Sequence, residues 1–321
     1  MLRNLTACIL MTLVCDVHAA DRPEAYPTKS VRFVVPYAPG GGSDITARAI
    51  GQKLSESLGH TFVVDSRPGA SGLLGTELVA KAPADGYTLL LADSAHTINN
   101  VIYKKPRYDA IKDFAPITLV ATTPLALMAH PSFQPNLKEL IAMPRAQTEK
   151  ITLGTSGQAG GPHMIYLWMR TKTGLVLNEV TYKGGGPAMA DAVGGQIQLV
   201  FTSLAAGVPF VKNGRLKALG VTSATRHSAM PDIQTFKESG LSDMDMVLWY
   251  GVLAPTGTPK EIVALLSRAT ATALGAPDVR ERFAALALDI SAAGPEEFRR
   301  LLQHEVKTWQ EVIVKANEPL Q

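Results

Sequence analysis

Cysteine is nearly absent. The 321-residue chain has two, Cys8 and Cys15. Both lie in its first twenty residues, inside a segment that reads as an export signal. Arg3 supplies a positive start, and Leu5 to Val14 form an apolar core too short to span a bilayer. Val17-His18-Ala19 then place small residues where a signal peptidase cuts, after Ala19 or Ala20. Val14 argues against lipidation at Cys15, because a small residue is needed there. Residues 1–19 are therefore expected to be removed on export, and the mature chain keeps no thiol. That excludes disulfides, thiolate catalysis and cysteine metal sites together. Strong charge is missing too. A formal net charge of +3 advertises neither a nucleic-acid surface nor a membrane patch. Aromatics are sparse at 6%, which argues against stacked-base recognition. No later apolar run reaches the roughly 18 residues of a membrane helix.

Short strands alternate with helices. Val31–Val35 is a β-rich run, ended by Pro36 and the turn Pro39-Gly40-Gly41-Gly42. Ser43 is placed to cap a helix running from Asp44 to Leu58. The βαβαβ rhythm continues through strands at Thr61–Val64 and Tyr87–Ala92. It implies an α/β fold with parallel strands covered by helices. Thr122-Thr123-Pro124 splits two apolar runs, Ile117–Ala121 and Leu125–Ala129, and marks the passage from one lobe to a second. A similar unit then recurs, with strands at Ile151–Leu153, Leu177–Thr181, Ile197–Phe201 and Leu216–Val221. Met246–Leu253 reads as a return strand. The lobes expected are 20–123 with 246–321, and 124–245.

Glycine turns are abundant, and they carry the chemistry. In open α/β sheets ligands bind beyond the carboxyl ends of strands, at helix N-termini. Three turns qualify: Gly40 to Asp44, Gly154 to His163, and Lys183 to Pro187. Each offers backbone N–H groups and a helix dipole, which suit an anion. Taken singly, each is better read as a tight turn. One in each lobe makes an anion cleft the better reading. Nucleotide motifs fail on spacing, and no G-x-S-x-G elbow occurs. His163 either contacts a ligand or caps its helix. Asp44 reads as a dipole-stabilising acid in preference to a general base. No histidine pairing points to a metal, and no cofactor is expected. Trp249-Tyr250 reads as core and hinge packing in a strand, with lining of the cleft as the lesser alternative.

Several long motifs resemble one family. They are Tyr26-Pro-Thr-Lys-Ser-Val-Arg-Phe-Val-Val-Pro-Tyr-Ala-Pro-Gly-Gly-Gly-Ser-Asp44, Arg67-Pro-Gly-Ala-Ser-Gly72, Ala84-Asp-Gly-Tyr-Thr-Leu-Leu90, Tyr182-Lys-Gly-Gly-Gly-Pro187 and Trp249-Tyr-Gly251 through Pro259. They are similar to the Bug family, the periplasmic substrate-binding components of tripartite tricarboxylate transporters. The resemblance covers nearly the whole mature chain. It implies a type II periplasmic binding protein fold, with two α/β lobes, a central cleft and two crossover strands. It also implies a monomeric, non-enzymatic receptor for a small carboxylate that hands its ligand to integral-membrane transporter subunits. A sensor kinase is the alternative partner, and an enzyme on the same fold the alternative class. By position, Gly41, Gly42, Ser43 and Asp44 would face Thr155, Ser156, Gly157 and His163. Ala70, Ser71, Thr97, Lys183 and Gly184 would complete the rim. The family often has acids where this chain has Gln198 and Thr202, and a glycine where it has Ser71. With Thr202 at a strand end, its side chain is expected to face the cleft. Neutral groups there favour a ligand without an ammonium group.

Overall fold

The computed structural model describes residues 26–316, apart from residues 158, 159, 243 and 245. The export signal expected at residues 1–19 lies outside the described residues. In chain order the elements begin with β1 (Val31–Val35), α1 (Gly42–Leu58), β2 (Phe62–Ser66), α2 (Leu73–Ala80), β3 (Thr88–Asp93) and α3 (Ala95–Ile102). There follow β4 (Phe114–Ala129), α4 (Leu137–Ala142), α5 (Arg145–Thr148), β5 (Thr152–Thr155) and α6 (Gly161–Thr173). Next come β6 (Asn178–Thr181), α7 (Gly185–Val193), β7 (Leu199–Ser203), α8 (Leu204–Lys212) and β8 (Lys217–Val221). The chain closes with β9 (Val247–Pro255), α9 (Lys260–Gly275), α10 (Pro277–Ala285), β10 (Asp289–Ala293) and α11 (Pro295–Ala316).

Two pairing blocks share one strand. The continuous path runs β2-β1-β3-β9-β4-β7-β5-β6. In the first block, β1 lies parallel between β2 and β3. In the second, β5 lies parallel between β6 and β7. β9 and β4 connect them: residues 114–124 of β4 pair with β9, and residues 125–129 pair with β7 and β8. This is a two-lobed type II binding-protein architecture, with β4 and β9 as the crossover strands.

The central strands are apolar on both faces, as parallel strands covered by helices must be. Val31, Phe33, Val34 and Val35 of β1 are all fully buried. α1 packs its Ala47, Ile50 and Leu54 beneath that strand, at helical spacing. Gly59 stops α1 with a left-handed φ of 72°. Each block has its own apolar centre, one around Phe33, Leu91 and Phe283, the other around Leu127, Phe201 and Phe236.

Three sequence expectations need correction. The apolar run of β4 does not break at Thr122-Thr123-Pro124; it is one 16-residue strand. Proline is accommodated where the pairing hands over from β9 to β7 and β8. Ser43 does not cap α1; Gly41 does, and Ser43 lies in the first turn. Finally, α3 and β10 had no counterpart in the sequence reading.

Candidate ligand site between the lobes

Five of the six parallel strands in the two blocks hand their carboxyl ends to a helix at the cleft; the sixth, β2, leads through a short turn to α2, away from the pocket. β1 leads to α1, β3 to α3, β5 to α6, β6 to α7 and β7 to α8. The carboxyl edges of the two blocks face each other, so these helix starts converge. Between them lies a partly open pocket with a volume of about 30 Å³, room for roughly two water-sized groups.

Four helix starts line it. Gly41, Gly42 and Ser43 come from α1, Gly160, Gly161 and Pro162 from α6, and Gly185 from α7. Thr202 and Ser203 come from the cap of α8. The first N–H groups of a helix have no partner inside it, and each terminus carries about half a positive charge. The four together present about +2 to the cavity. Among the described residues no Lys, Arg or His lines the pocket. Side-chain donors come from hydroxyls, those of Tyr37, Ser43, Ser156, Thr202, Ser203 and Tyr250.

The lobes touch directly. Ala38 N–H, in the turn before α1, donates to the carbonyl of Lys183 at 3.0 Å. Glycine is required where backbone meets backbone. A Cβ on Gly186 would fall inside the Pro39 carbonyl oxygen and lie 3.2 Å from the Gly40 carbonyl carbon. Away from the pocket, α3 and α11 meet α6 through Ile98, Ile102, Met164, Leu167, Trp309 and Ile313.

One acid lines the pocket. Asp93 ends β3, and its Oδ1 accepts from the Tyr37 hydroxyl at 2.9 Å and from Ala95 N–H at 3.0 Å. It thereby occupies the start of α3. Its Oδ2 accepts only a long bond from Ser43 Oγ, 3.3 Å. Burial pushes its pKa up to about 6, despite those three donors.

Of the residues expected from sequence, Gly41, Gly42, Ser43, Ser156 and Thr202 are brought together at the pocket. The others are placed elsewhere. Asp44 turns its carboxylate away, to Gly40 N–H at 3.1 Å and Arg48 Nε at 2.9 Å. Thr155 donates to Glu179 at 2.6 Å, and His163 Nδ1 lies 2.8 Å from the same carboxylate. Thr97 is buried and donates to Glu305 of α11 at 2.7 Å. Ala70 and Ser71 adopt left-handed φ values of 47° and 53°, and Ser71 packs on Gly157 across the cleft. Lys183 is exposed, and Gly184 packs on Ala38. Gln198 is bound to Thr152 at the opposite end of β7 from Thr202, so it offers nothing to the pocket. Sequence reasoning missed Tyr37, Asp93 and Ser203, and gave Tyr250 only as a lesser alternative to core packing. An Asp at the carboxyl end of a parallel strand was a signal available for Asp93. Pairing between β3, β9 and β4, which brings Tyr250 in, left no local mark.

Residues 46–318 match the tripartite tricarboxylate transporter family receptor. The chain belongs to that family. It is similar to protein BugT of Bordetella pertussis (strain Tohama I), 31% identical over all of this chain and 99% of that one. Among solved structures it resembles periplasmic binding protein BugD at 34% identity, with TM-score 0.89, over 92% of this chain and all of BugD. Two proteins from Rhodopseudomonas palustris are similar as well. MatC, solved with bound malate, is 30% identical, with TM-score 0.86, over 90% of this chain and 100% of its own. Rpa4515, solved with adipate, is 32% identical, with TM-score 0.86, over 91% and 98%.

Proposed function

We propose that this chain is a periplasmic receptor that captures a small di- or tricarboxylate between its lobes and delivers it to the membrane subunits of a tripartite tricarboxylate-type transporter. In this reading residues 1–19 are the export signal, and the lobes divide at Thr123/Pro124 and before Met246. One observation carries it: four helix N-termini converge on a pocket that no cationic side chain lines. Such a site recognises a carboxylate through backbone N–H groups and fixed dipoles. It reads charge and shape and little else, so the family can vary its ligand by changing the surrounding hydroxyls. MatC and Rpa4515, with their dicarboxylates, support the class of ligand.

A receptor is favoured over an enzyme by the same lining. Ser43, Ser156 and Ser203 are there, but no imidazole or amine reaches them to act as base. Among the described residues no cluster of His, Cys, Asp and Glu could hold a metal ion. No described helix is long and apolar enough to cross a membrane.

The test is a thermal-shift panel of malate, succinate, adipate and citrate, followed by mass spectrometry of the acid recovered. Stabilisation by at least one, with that acid returned unchanged, is expected. No stabilisation by any member, or a chemically altered acid, would overturn the reading.

A further inference from the structure

An anion pocket that contains an acid poses an electrostatic problem. Asp93 lines the same cavity as the four helix starts. A doubly ionised dicarboxylate and an ionised Asp93 together bring three negative charges. The four converging helix ends and the start of α3 that Asp93 occupies together offer about 2.5 positive ones. No lining cation makes up the difference.

The geometry points to a proton as the missing charge: when a dicarboxylate enters, Asp93 takes a proton onto Oδ2 and donates it to the ligand. This rests on the receptor reading above. The two carboxyl oxygens are not equivalent. Oδ1 is engaged by Tyr37 and Ala95 N–H. Oδ2 has only the 3.3 Å contact from Ser43, which is itself a pocket residue. A proton on Oδ2 therefore disturbs no short hydrogen bond. The O–H bond forms on Asp93, a buffer acid supplies the proton, and release of the ligand returns it to solvent.

Among the described residues no cation faces Asp93 to hold it ionised once the ligand is in; only the Tyr37, Ala95 and Ser43 donors favour its charge. The first lobe presents the Tyr37 phenol from the turn before α1 and the Tyr250 phenol from β9. Tyr108 lies near enough for its phenol to feel the charge on Asp93. From α11, Glu305 feels the same charge, and like charges disfavour each other. The second lobe's lining, Ser156, Thr202 and Ser203, carries no ionisable group. In the free protein burial already raises Asp93 to about 6. An entering anion raises it further, so binding takes up a proton above pH 6, and affinity falls as pH rises. A single linked proton limits the slope to about tenfold per pH unit.

An ionised Asp93 would serve a different ligand, one with an ammonium group. The experiment separates the two. Isothermal titration of the full mature protein with succinate, malate, adipate and aspartate, between pH 6.5 and 8.5, is run in two buffers of different ionisation enthalpy. These dicarboxylates are almost wholly doubly ionised in that range, so uptake approaching one proton reports a proton held in the complex, and the Asp93→Asn variant assigns it to Asp93 or to the ligand. Uptake approaching one proton is expected, with affinity weakening several-fold per pH unit. Asp93→Asn, which keeps an acceptor for Tyr37 and offers N–H in place of O–H, should bind with a flat pH profile. Should that variant fold poorly, Tyr37→Phe gives the second reading: it removes a donor that holds the charge on Asp93 and should move the window of uptake to higher pH. Dicarboxylate binding with no proton uptake, or aspartate binding more tightly than succinate with none, would overturn the proton inference and leave the carboxylate receptor standing. No binding by any of the four would overturn both.

Discussion

Gly186 sits in the first turn of α7, yet the atoms a Cβ would strike there, those of Pro39 and Gly40, belong to the other lobe. Alanine suits a helix better than glycine does. Gly186→Ala should therefore leave each lobe as stable as before, or slightly more so, while preventing the lobes from meeting. Ligand affinity is expected to fall by at least tenfold with an unchanged melting temperature of the free protein. Small-angle scattering at saturating dicarboxylate should show the wild-type radius of gyration shrinking and that of the variant staying large. Equal affinity and equal shrinkage would show that the contact at Pro39 plays no part in closure. Gly42 is a less clean probe. A Cβ there would fall inside the Tyr250 hydroxyl and lie 2.6 Å from Ser203 Oγ. Tyr250 is buried, so bulk at this position strains the crossover strand as well as the pocket.

Among the elements, α11 ties the lobes' hinge to the chain's end. Its Glu305 accepts from Trp249 Nε1 on crossover strand β9 and from Thr97 on α3, each at 2.7 Å. Burial raises its pKa from the ordinary 4.5 to about 7. An acid raised in this way binds its proton more tightly folded than unfolded. Its contribution to stability is fully present below about pH 4.5 and is lost as pH rises through about 7. Asp93 acts with the same sign between 3.8 and about 6, so a comparison with a variant is needed to isolate Glu305. Glu305→Gln keeps the acceptor and removes the titration. Denaturant unfolding at pH 5 and pH 8 should show the wild type losing stability relative to the variant as pH rises. A wild type that gains on the variant at pH 8 would contradict this assignment.

The elements also show how far the chain could be read without coordinates. The glycine turns and their helices were legible because each is written locally: an apolar run, a Pro or Gly stop, then a helical period. α1, α6, α7 and α8 all came from such signals. β4 was not legible as one strand, because Pro124 is a local stop that only the handover of partners excuses. α3 lay in the stretch Ala95 to Ile102, whose polar His96, Asn99 and Asn100 hide its periodicity. Those side chains turn out to be bonded inward, His96 to Ala110 and Asn99 to Ser71. For the pocket, the backbone donors were visible and the acid was not. Thr97, His163 and Asp44 looked available in sequence, but each is already engaged by a neighbour that only the fold supplies.

Across the whole molecule, the fold places five of the six helix starts that follow the parallel strands on one cleft. Four are left to a ligand, and the protein's own Asp93 occupies the fifth. The pocket, about 30 Å³ and partly open, is small beside a whole diacid, so a longer ligand either extends along the cleft or holds the lobes further apart. Selection among diacids then follows from how far apart the lobes can stay while keeping both ends of the ligand bonded. The most direct test is a crystal structure of the mature protein with bound adipate or malate. One ligand carboxylate should lie within hydrogen-bonding distance of backbone N–H groups in the first turns of α1, α6, α7 or α8, with no Lys or Arg touching it. A ligand carboxylate paired with a Lys or Arg, or seated away from these helix starts, would contradict the account.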